Sequence, residues 1–402
     1  MLQVVEIDAI EHLEALRLRW TSLLYDTPGA SFFHTLDWLK VYWQHFRRDQ
    51  RLRVLVVHRS GTVLGVLPLV VRKEMTSTGL VDVLAYPTIS PSQFLGPIGP
   101  NPTATLMASF RHLSSGSRNW DVLSLGEIGE HDRGRTANAL ELAGFVPLET
   151  VRSKVAKVSL GTSSYDHETE RPWKFAERQD ENEASLPGCL TFERIRSLGD
   201  ADGEGSIWEE HWHGQWHPNR SLGDADGDGS IREEHWHGQW HPNRPLGGAD
   251  GDGGRVDEIV AACCALTPGS LACEQPATLL CQVAAVASRL GMLDLNLLWL
   301  DGRLMAFSFN VHFDGIIQQI SAGEAAASFD FDPATVLSLR MVQDSIRRRD
   351  RCLYFAAMND GFANFLAAEE LSVVRYQHCA APPLRDCLTQ FGRWLKSPGT
   401  KV

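Results

Sequence analysis

Residues 293–322 read LDLNLLWLDGRLMAFSFNVHFDGIIQQISA, and this stretch determines how the second half of the chain folds. Its three apolar runs are separated by Asp301-Gly302 and by Asp314-Gly315. An Asp-Gly pair between apolar runs favours a two-residue hairpin turn, because both turn positions need a positive φ. The stretch therefore predicts three consecutive strands joined by tight turns.

Helices and further strands are predicted around this stretch. Asp332 followed by Pro333 indicates the start of a helix that ends near residue 349, since Asp is a preferred N-cap and proline suits the first helical position. Helical spacing is also present over 255–291. The remaining predicted order is strand 352–357, helix 361–369, strand 371–378 and helix 383–396.

The first half of the chain has a comparable order. A strand at 2–7, a helix at 9–25 and an aromatic helix at 32–46 precede a hairpin over 52–72 that turns at Ser60-Gly61. Further strands are predicted near 80–85, 121–126 and 153–159, with helices near 103–113 and 134–143. Both halves thus predict a mixed α/β (α+β) unit, a twisted sheet flanked by helices.

A tandem duplication interrupts the second half. Residues 197–220 and 221–244 are nearly identical copies of one 24-residue unit, which differ only at Glu204/Asp228 and Trp208/Arg232. We interpret 197–244 as an insertion into one loop. The predicted organisation is a first domain over 1–160, a charged linker or helix over 161–188, and a second domain over 189–402.

Composition excludes several classes of protein. The net charge of −12 argues against non-specific nucleic-acid binding, which needs a basic surface. The sequence has neither a signal-peptide pattern nor 18 uninterrupted apolar residues, so we expect no stable membrane insertion. The eight cysteines are scattered without a framework, which favours reduced thiols and a cytoplasmic protein.

Several segments resemble one enzyme family. FFHTLDWLKVYWQHF (32–46), LRVLVVHRSGTVLGVLPLV (52–70) and the 293–313 segment are similar to the CelD/BcsL-like acetyltransferases, which are tandem GNAT (N-acetyltransferase) proteins related to the FemAB group. LGPIGPNPTATLMASFRHL (95–113), NWDVLSL (119–125) and TVLSLRMVQDSIRRRDR (335–351) also resemble that family. The resemblance implies two GNAT-like domains, with an acyl-CoA co-substrate bound at the second one.

The resemblance also implies where that co-substrate binds. Its pantetheine arm would follow a splayed strand at 315–322, and its pyrophosphate would meet free backbone N–H groups at the start of the helix at Pro333. The predicted cofactor-binding residues are Ile320, Ser321, Ala322, Ala334, Thr335 and Val336. No metal is expected to be required. The loop before Pro333 is acidic and poor in glycine, unlike the family's pyrophosphate loop.

Candidate catalytic residues follow from acyl-transfer chemistry, which needs a base and a proton donor. His312 and Glu324 are candidate bases, with Asp360 as a further one, and Tyr354 is the candidate proton donor. Two of them have a structural alternative: His312 as a surface or satisfied core group, and Tyr354 as a packing residue. Arg347, Arg348, Arg349 and Arg351 either meet a CoA phosphate or form a solvated helix end. Asn296 and Asn310, inside apolar strands, are candidates to line the cleft.

The duplicated insertion has two metal-like patterns. DADGDGSIREEH (224–235) resembles a calcium loop, but His235 stands where a bidentate Glu is needed, which favours a flexible acidic loop instead. The histidines have transition-metal spacing without cysteine, which favours adventitious binding; they are His211, His213, His217, His235, His237 and His241.

The sequence and the family resemblance together predict an acyl-CoA-dependent acyltransferase. Its expected acceptor is an amine or hydroxyl of a small molecule, a polysaccharide or a cell-envelope precursor. One alternative is a catalytically decayed GNAT-like binding or scaffold protein, which the acidic loop supports. Another is a metal-responsive interaction protein that acts through 197–244.

Overall fold

The structure is a computed structural model of the 402-residue chain. It describes residues 2–76, 79–89, 93–116, 119–160, 190–196, 211–212, 252–266, 276–325, 332–356, 363, 366 and 368–379. The calcium-like loop, the candidate base Asp360, the predicted linker 161–188 and, apart from the backbone of 211–212, the duplicated insertion lie outside these residues.

Seven α-helices are present in the described ranges. They are α1 (Arg17–Tyr25), α2 (Leu36–Phe46), α3 (Pro102–Ser115), α4 (Glu130–Leu142), α5 (Asp252–Leu266), α6 (Pro276–Arg289) and α7 (Pro333–Arg347). Two 3₁₀ helices, Ile10–Leu16 and Phe32–His34, precede α1 and α2. The predicted Asp332 cap is confirmed, because its side chain accepts from Ala334 N at 3.0 Å. Thr35 caps α2 in the same way and accepts from Trp38 N at 3.0 Å.

The described strands form one mixed sheet. They are β1 (Gln3–Ile7), β2 (Gln50–Arg59), β3 (Thr62–Thr76), β4 (Gly79–Ala85), β5 (Val122–Ile128), β6 (Leu148–Ser159), β7 (Leu190–Ile195), β8 (His211–Trp212), β9 (Leu293–Leu300), β10 (Arg303–Phe313), β11 (Ile316–Glu324), β12 (Cys352–Phe355) and β13 (Glu369–Cys379). Their order across the sheet is β1-β2-β3-β4-β5-β13-β6-β12-β11-β10-β9-β7-β8.

The predicted hairpins turn where the sequence indicates. Asp301 and Gly302 have φ values of 48° and 77°, and Asp314 and Gly315 have φ values of 48° and 70°. Two successive positive φ values match the twist of the strands that they join. β9, β10 and β11 are consequently antiparallel neighbours, as predicted.

The two halves exchange their last strands. β6, from the first half, pairs with β12 of the second half, while β13, from the second half, lies between β5 and β6. A contact between helices also joins the halves, because Asp37 on α2 accepts from Arg289 of α6 at 2.8 Å as well as from Arg17 of α1 in its own half. One hydrophobic core cluster contains residues of both halves, from Leu13 to Tyr376.

Candidate functional site

A cleft opens in the sheet between β11 and β12. These parallel strands pair only over Ile316–Gln318 and Cys352–Tyr354, whereas β11 stays paired with β10 as far as Glu324. Beyond Gln318 the two strands therefore part. We call the space between residues 319–324 of β11 and the end of β12 the C-terminal cleft. β4 and β5 behave alike in the first half, since they pair only over Val83–Ala85 and Val122–Ser124.

A β-bulge lies at the edge of the C-terminal cleft. Phe309 faces Ser321 and Asn310 faces Gln319, so Ile320 is the extra residue of β11. A bulge removes one residue from the hydrogen-bond ladder and re-aims the backbone there. Ile320 and Ser321 are buried, and the Ser321 hydroxyl has no hydrogen-bond partner. Three of the predicted cofactor-binding residues, Ile320, Ser321 and Ala322, thus lie along the cleft.

Gln319 spans the cleft at the point where the strands part. Its Oε1 accepts from Ala356 N at 3.1 Å, and its Nε2 donates to the Ser308 hydroxyl at 2.9 Å. Ser308 in turn donates to Asn310 Oδ1 at 2.8 Å, and Asn310 Nδ2 donates to Asp294 Oδ1 at 3.2 Å. Asn310 thus reaches the cleft through two other side chains. Asn296 is fully buried and donates to the same oxygen of Asp294.

The hydrogen-bonded chain ends in a buried ion cluster. Arg194 Nη2 and Arg196 Nε donate to Asp294 Oδ2 at 2.6 and 2.9 Å, and Arg194 also pairs with Asp344 on α7 at 2.7 Å. Burial would raise the pKa of Asp294, but the attraction of Arg194 and Arg196 outweighs it and holds this pKa below its ordinary value. The sheet side of the cleft is therefore held by charge pairs rather than by apolar contacts alone.

The N-terminus of α7 is occupied by carboxylates. Asp332 accepts from Ala334 N at 3.0 Å and from Thr335 N at 3.3 Å, and Glu324 Oε2 accepts from Ala334 N at 3.3 Å. Burial and the neighbouring Asp332 raise the pKa of Glu324. The N–H groups of Ala334 and Thr335 are the donors that a pyrophosphate would need. As folded, this helix end does not fit the pyrophosphate of an acyl-CoA.

The three predicted catalytic side chains are not in one cluster. His312 faces Ile317 across β10 and β11, whereas Glu324 lies seven residues further along β11, about 23 Å at ~3.3 Å per residue. Ile317 faces Leu353, so His312 lies on the face that carries Leu353. Tyr354, the next residue, points to the opposite face, because side chains alternate along a strand.

His312 and Tyr354 each have defined partners. His312 Nε2 lies 3.3 Å from Asp350 Oδ1. Despite burial, which acts in the opposite direction, His312 and Arg196 lower the pKa of Asp350. Tyr354 makes an edge-to-face contact with Phe94 of the first half, with ring centroids 5.3 Å apart. Burial, and then Cys352, raise the pKa of the Tyr354 phenol above its usual range.

Arg348 and Arg351 of the arginine cluster have structural partners. Arg351 donates to Asp314 Oδ2 at 2.5 Å, and Arg348 Nε donates to Asp344 Oδ2 at 2.7 Å. Their charges are thus balanced within the fold. Within the described ranges, no helix is long and apolar enough to cross a bilayer, and no three His, Cys, Asp or Glu side chains are grouped as metal ligands.

Sequence reasoning missed two groups of charged residues. One is the Arg194–Asp294 cluster, and the other contains Glu127 of β5 and Arg375 of β13. A charge inside an apolar strand was the available signal, in LDLNLLWL for Asp294 and in VLSLGEI for Glu127. Such a charge needs a buried partner, but the sequence does not say which strand supplies it.

Solved structures share this architecture. The structure of FemX superposes with a TM-score of 0.52 at 9% identity, covering 96% of this chain and 99% of FemX. This chain has a fold similar to that of FemX. The mixed α/β prediction is therefore confirmed.

Two other solved structures have lower scores. The C-terminal domain of a putative lysylphosphatidylglycerol synthetase from Agrobacterium fabrum has a TM-score of 0.47 at 9% identity, with 97% of this chain and 99% of that chain covered. A tandem GNAT protein from the clavulanic acid biosynthesis pathway has a TM-score of 0.46 at 12% identity, with 95% of this chain and 100% of that chain covered. The sequence matches no protein-family model and no curated protein.

Proposed function

We propose that the chain is an acyltransferase of the GNAT type that transfers an acyl or aminoacyl group to an amine or hydroxyl. The observation that carries the proposal is that the parting of β11 and β12 coincides with the bulge at Ile320. A bulge presents backbone N–H groups that the ladder no longer uses, and such groups stabilise the oxyanion of acyl transfer.

We assign the proton transfers to His312 and Tyr354. The acceptor's lone pair forms a bond to the acyl carbon, and the bond from that carbon to the leaving group breaks. His312, paired with Asp350 at 3.3 Å, takes the acceptor's proton. Tyr354, whose raised pKa keeps the phenol protonated, donates a proton to the leaving group. The two side chains lie on opposite faces of the sheet, so the proposal requires the reacting groups to reach both through the opening between β11 and β12. Glu324 occupies the start of α7 until the donor binds, where it accepts from Ala334 N.

We also propose a donor, an acceptor and a cellular location for the protein. Acetyl-CoA is the proposed donor, and its pyrophosphate requires the carboxylates of Asp332 and Glu324 to leave the N-terminus of α7. The proposed acceptor is a small molecule or a glycan precursor of the cell envelope, and not a nucleic acid. We place the protein in the cytoplasm and, on the resemblance described above, close to the CelD/BcsL-like group.

Thiol release from acetyl-CoA, with glucosamine as the acceptor probe, tests this function. The Y354F variant is expected to lose at least tenfold in kcat, and H312Q, which removes the proposed base, is expected to lose at least tenfold as well. Y25F is the matched control, because Tyr25 is 71% exposed. Equal rates in wild type, Y354F and H312Q would contradict the assignment.

A second candidate is a binding or scaffold protein without catalysis. The carboxylates on Ala334 N and Thr335 N favour it, since they occupy the donors that an enzyme of this type would offer to a nucleotide. Calorimetry separates the two candidates. Saturable acetyl-CoA binding supports the enzyme, and the absence of heat with both wild type and D332A supports the scaffold.

A further inference from the structure

Glu127 is a buried carboxyl that the proposed acyl transfer does not use. Its side chain lies on β5, only 5% of the residue is exposed, and its Oε2 atom has no hydrogen-bond partner. Its backbone has a φ of 58°, a conformation that is uncommon for residues other than glycine. Strained backbone conformations cluster at functional sites, and an unpartnered buried polar atom requires an explanation.

The strand exchange brings Arg375 against Glu127. Val374 faces Ile128 and Tyr376 faces Leu125, so Gly126 and Glu127 form a bulge opposite the single residue Arg375. The guanidinium of Arg375 lies over Gly126, where an added Cβ would be 3.3 Å from its Nε. Glycine therefore lets the side chain of Arg375 lie along β5. The Nε atom of Arg375 is buried and has no hydrogen-bond partner.

Positive charge exceeds negative charge around this pair. Burial raises the pKa of Glu127 to about 7, against the opposing effects of Arg375, Arg152 and Arg72. Burial and the repulsion of Arg152 lower the pKa of Arg375 to about 10, although Glu127 and, more weakly, Glu74 oppose this. Arg72 is already paired, since its Nε donates to Glu74 Oε1 at 2.8 Å. Arg375, which is partly buried, and Arg152, which is exposed, are thus two cations for the one carboxyl of Glu127.

The same face of the exchanged strands is polar. Arg375 faces Thr150, and Gln377 faces Ser124, so these four side chains lie on one face of β5, β13 and β6. The hydroxyl of Thr150 and the Oε1 atom of Gln377 are buried without a hydrogen-bond partner. Buried polar atoms are nearly always hydrogen-bonded to protein, water or ligand. The Thr150 hydroxyl can donate to an oxyanion, whereas the Oε1 atom of Gln377 is an acceptor that an anion would not satisfy. The unpartnered Nε atom of Arg375, beside a second cation, therefore indicates a site for a polar anion.

We propose that Glu127, Arg375 and Arg152 form a second binding site, which takes a small oxyanion group such as a sulfate, phosphate or carboxylate. The guanidinium groups donate to the oxygens of the anion. Glu127 binds a proton when the anion enters and donates it through Oε2 as a hydrogen bond. Since Arg375 comes from the last described strand and the other two residues come from the first half, the site exists only when the strands are exchanged.

Sulfate is the probe, because it does not titrate near neutral pH. Calorimetric titration of the full chain is expected to show tighter sulfate binding at pH 6 than at pH 8, by up to about tenfold, because the ionised Glu127 competes for the arginines at pH 8. The E127Q variant keeps the shape of the side chain without its charge. It is expected to bind sulfate equally at both pH values.

Substitutions of Arg375 test the geometry. R375M is expected to weaken sulfate binding at pH 6 by at least tenfold, and R375K, which keeps the charge and supports the same strand pairing, by a smaller factor. R51M is the control, since Arg51 pairs with Asp82 at an exposed edge and is not expected to affect binding. Absence of sulfate binding by wild type at pH 6, equal affinity in R375M and wild type, or a pH dependence that persists in E127Q would overturn the proposal.

Competition identifies the source of the anion. Displacement of sulfate by coenzyme A but not by succinate assigns the site to a phosphate-bearing ligand. Displacement by succinate alone assigns it to a carboxylate. The proposal does not depend on acyl transfer, because sulfate binding is measured without turnover, and loss of catalysis in Y354F leaves its result unchanged.

Discussion

Arg194 and Asp294 lie on neighbouring strands, with Nη2 and Oδ2 2.6 Å apart and side chains that are 2% and 0% exposed. The pair is a structural centre for the second half of the chain, because Arg194 also reaches Asp344 of α7 while Asp294 holds Asn296 and Asn310. A buried pair contributes little by its presence, but removing one partner leaves an uncompensated charge.

Replacement of Arg194 by methionine should be strongly destabilising. R194M leaves the carboxylates of Asp294 and Asp350 close together without this cation, so we expect a loss of about 3–5 kcal/mol in the free energy of unfolding. Urea denaturation measures it. R51M is the control, because the Arg51–Asp82 pair is exposed and is expected to contribute under ~1 kcal/mol. If R194M and R51M have the same midpoint, the buried cluster does not stabilise the fold.

Protonation of Glu127 should make the stability of the protein depend on pH. Its pKa is raised from 4.5 to about 7, so the folded state holds a proton that the unfolded state releases between these values. The stabilising effect is complete below 4.5 and is lost as the pH rises through about 7, by an amount on the order of 3 kcal/mol. Between pH 5 and pH 8, the free energy of unfolding measured with urea should therefore decrease less in E127Q than in wild type. E141Q, an exposed substitution on α4, is the control and should keep the wild-type decrease. If the free energy of unfolding of E127Q decreases as much as that of wild type, this prediction is refuted.

Release of the α7 N-terminus should improve nucleotide binding. D332A removes the N-cap, which costs about 1 kcal/mol of stability, but it frees the N–H group of Thr335 and leaves Glu324 as the one carboxylate on Ala334 N. We expect acetyl-CoA to bind at least fivefold tighter to D332A than to wild type in calorimetry. T35A removes the cap of α2 at similar cost and should leave the affinity unchanged. Equal affinity in D332A and wild type would show that the pyrophosphate is not bound at α7.

Local sequence signals predicted most elements of the fold but not their assembly. The Asp314-Gly315 turn and the Asp332 cap are set by neighbours in the chain, so the sequence alone located them. The pairing of Arg375 with the Gly126-Glu127 bulge depends on strands that are far apart in sequence, and no local pattern encodes it. His312, Tyr354 and Glu324 were predicted as residues of one site, yet strand register and alternation separate them.

The strand exchange should make the two halves one folding unit. In the first half alone, β6 has no strand to pair with, because its neighbours in the sheet are β13 and β12. β13 in turn pairs with β6 from Glu369 to Gln377 and with β5 from Val374 to Cys379. Fragment 1–160 would therefore have an unpaired apolar edge at β5, a surface that favours aggregation.

A protease site placed in the predicted linker at 161–188 tests this unit. After cleavage, the two pieces should elute together in gel filtration and unfold in a single calorimetric transition, because β6 and β13 remain exchanged. Fragment 1–160 expressed alone should bind a hydrophobic dye and lack a cooperative transition, while co-expression with 189–402 should restore one. The opposite result would be that the pieces separate without denaturant, or that fragment 1–160 unfolds cooperatively by itself. Each half would then close its own sheet, and the contact of Arg375 with Glu127 would be too weak to hold the halves together.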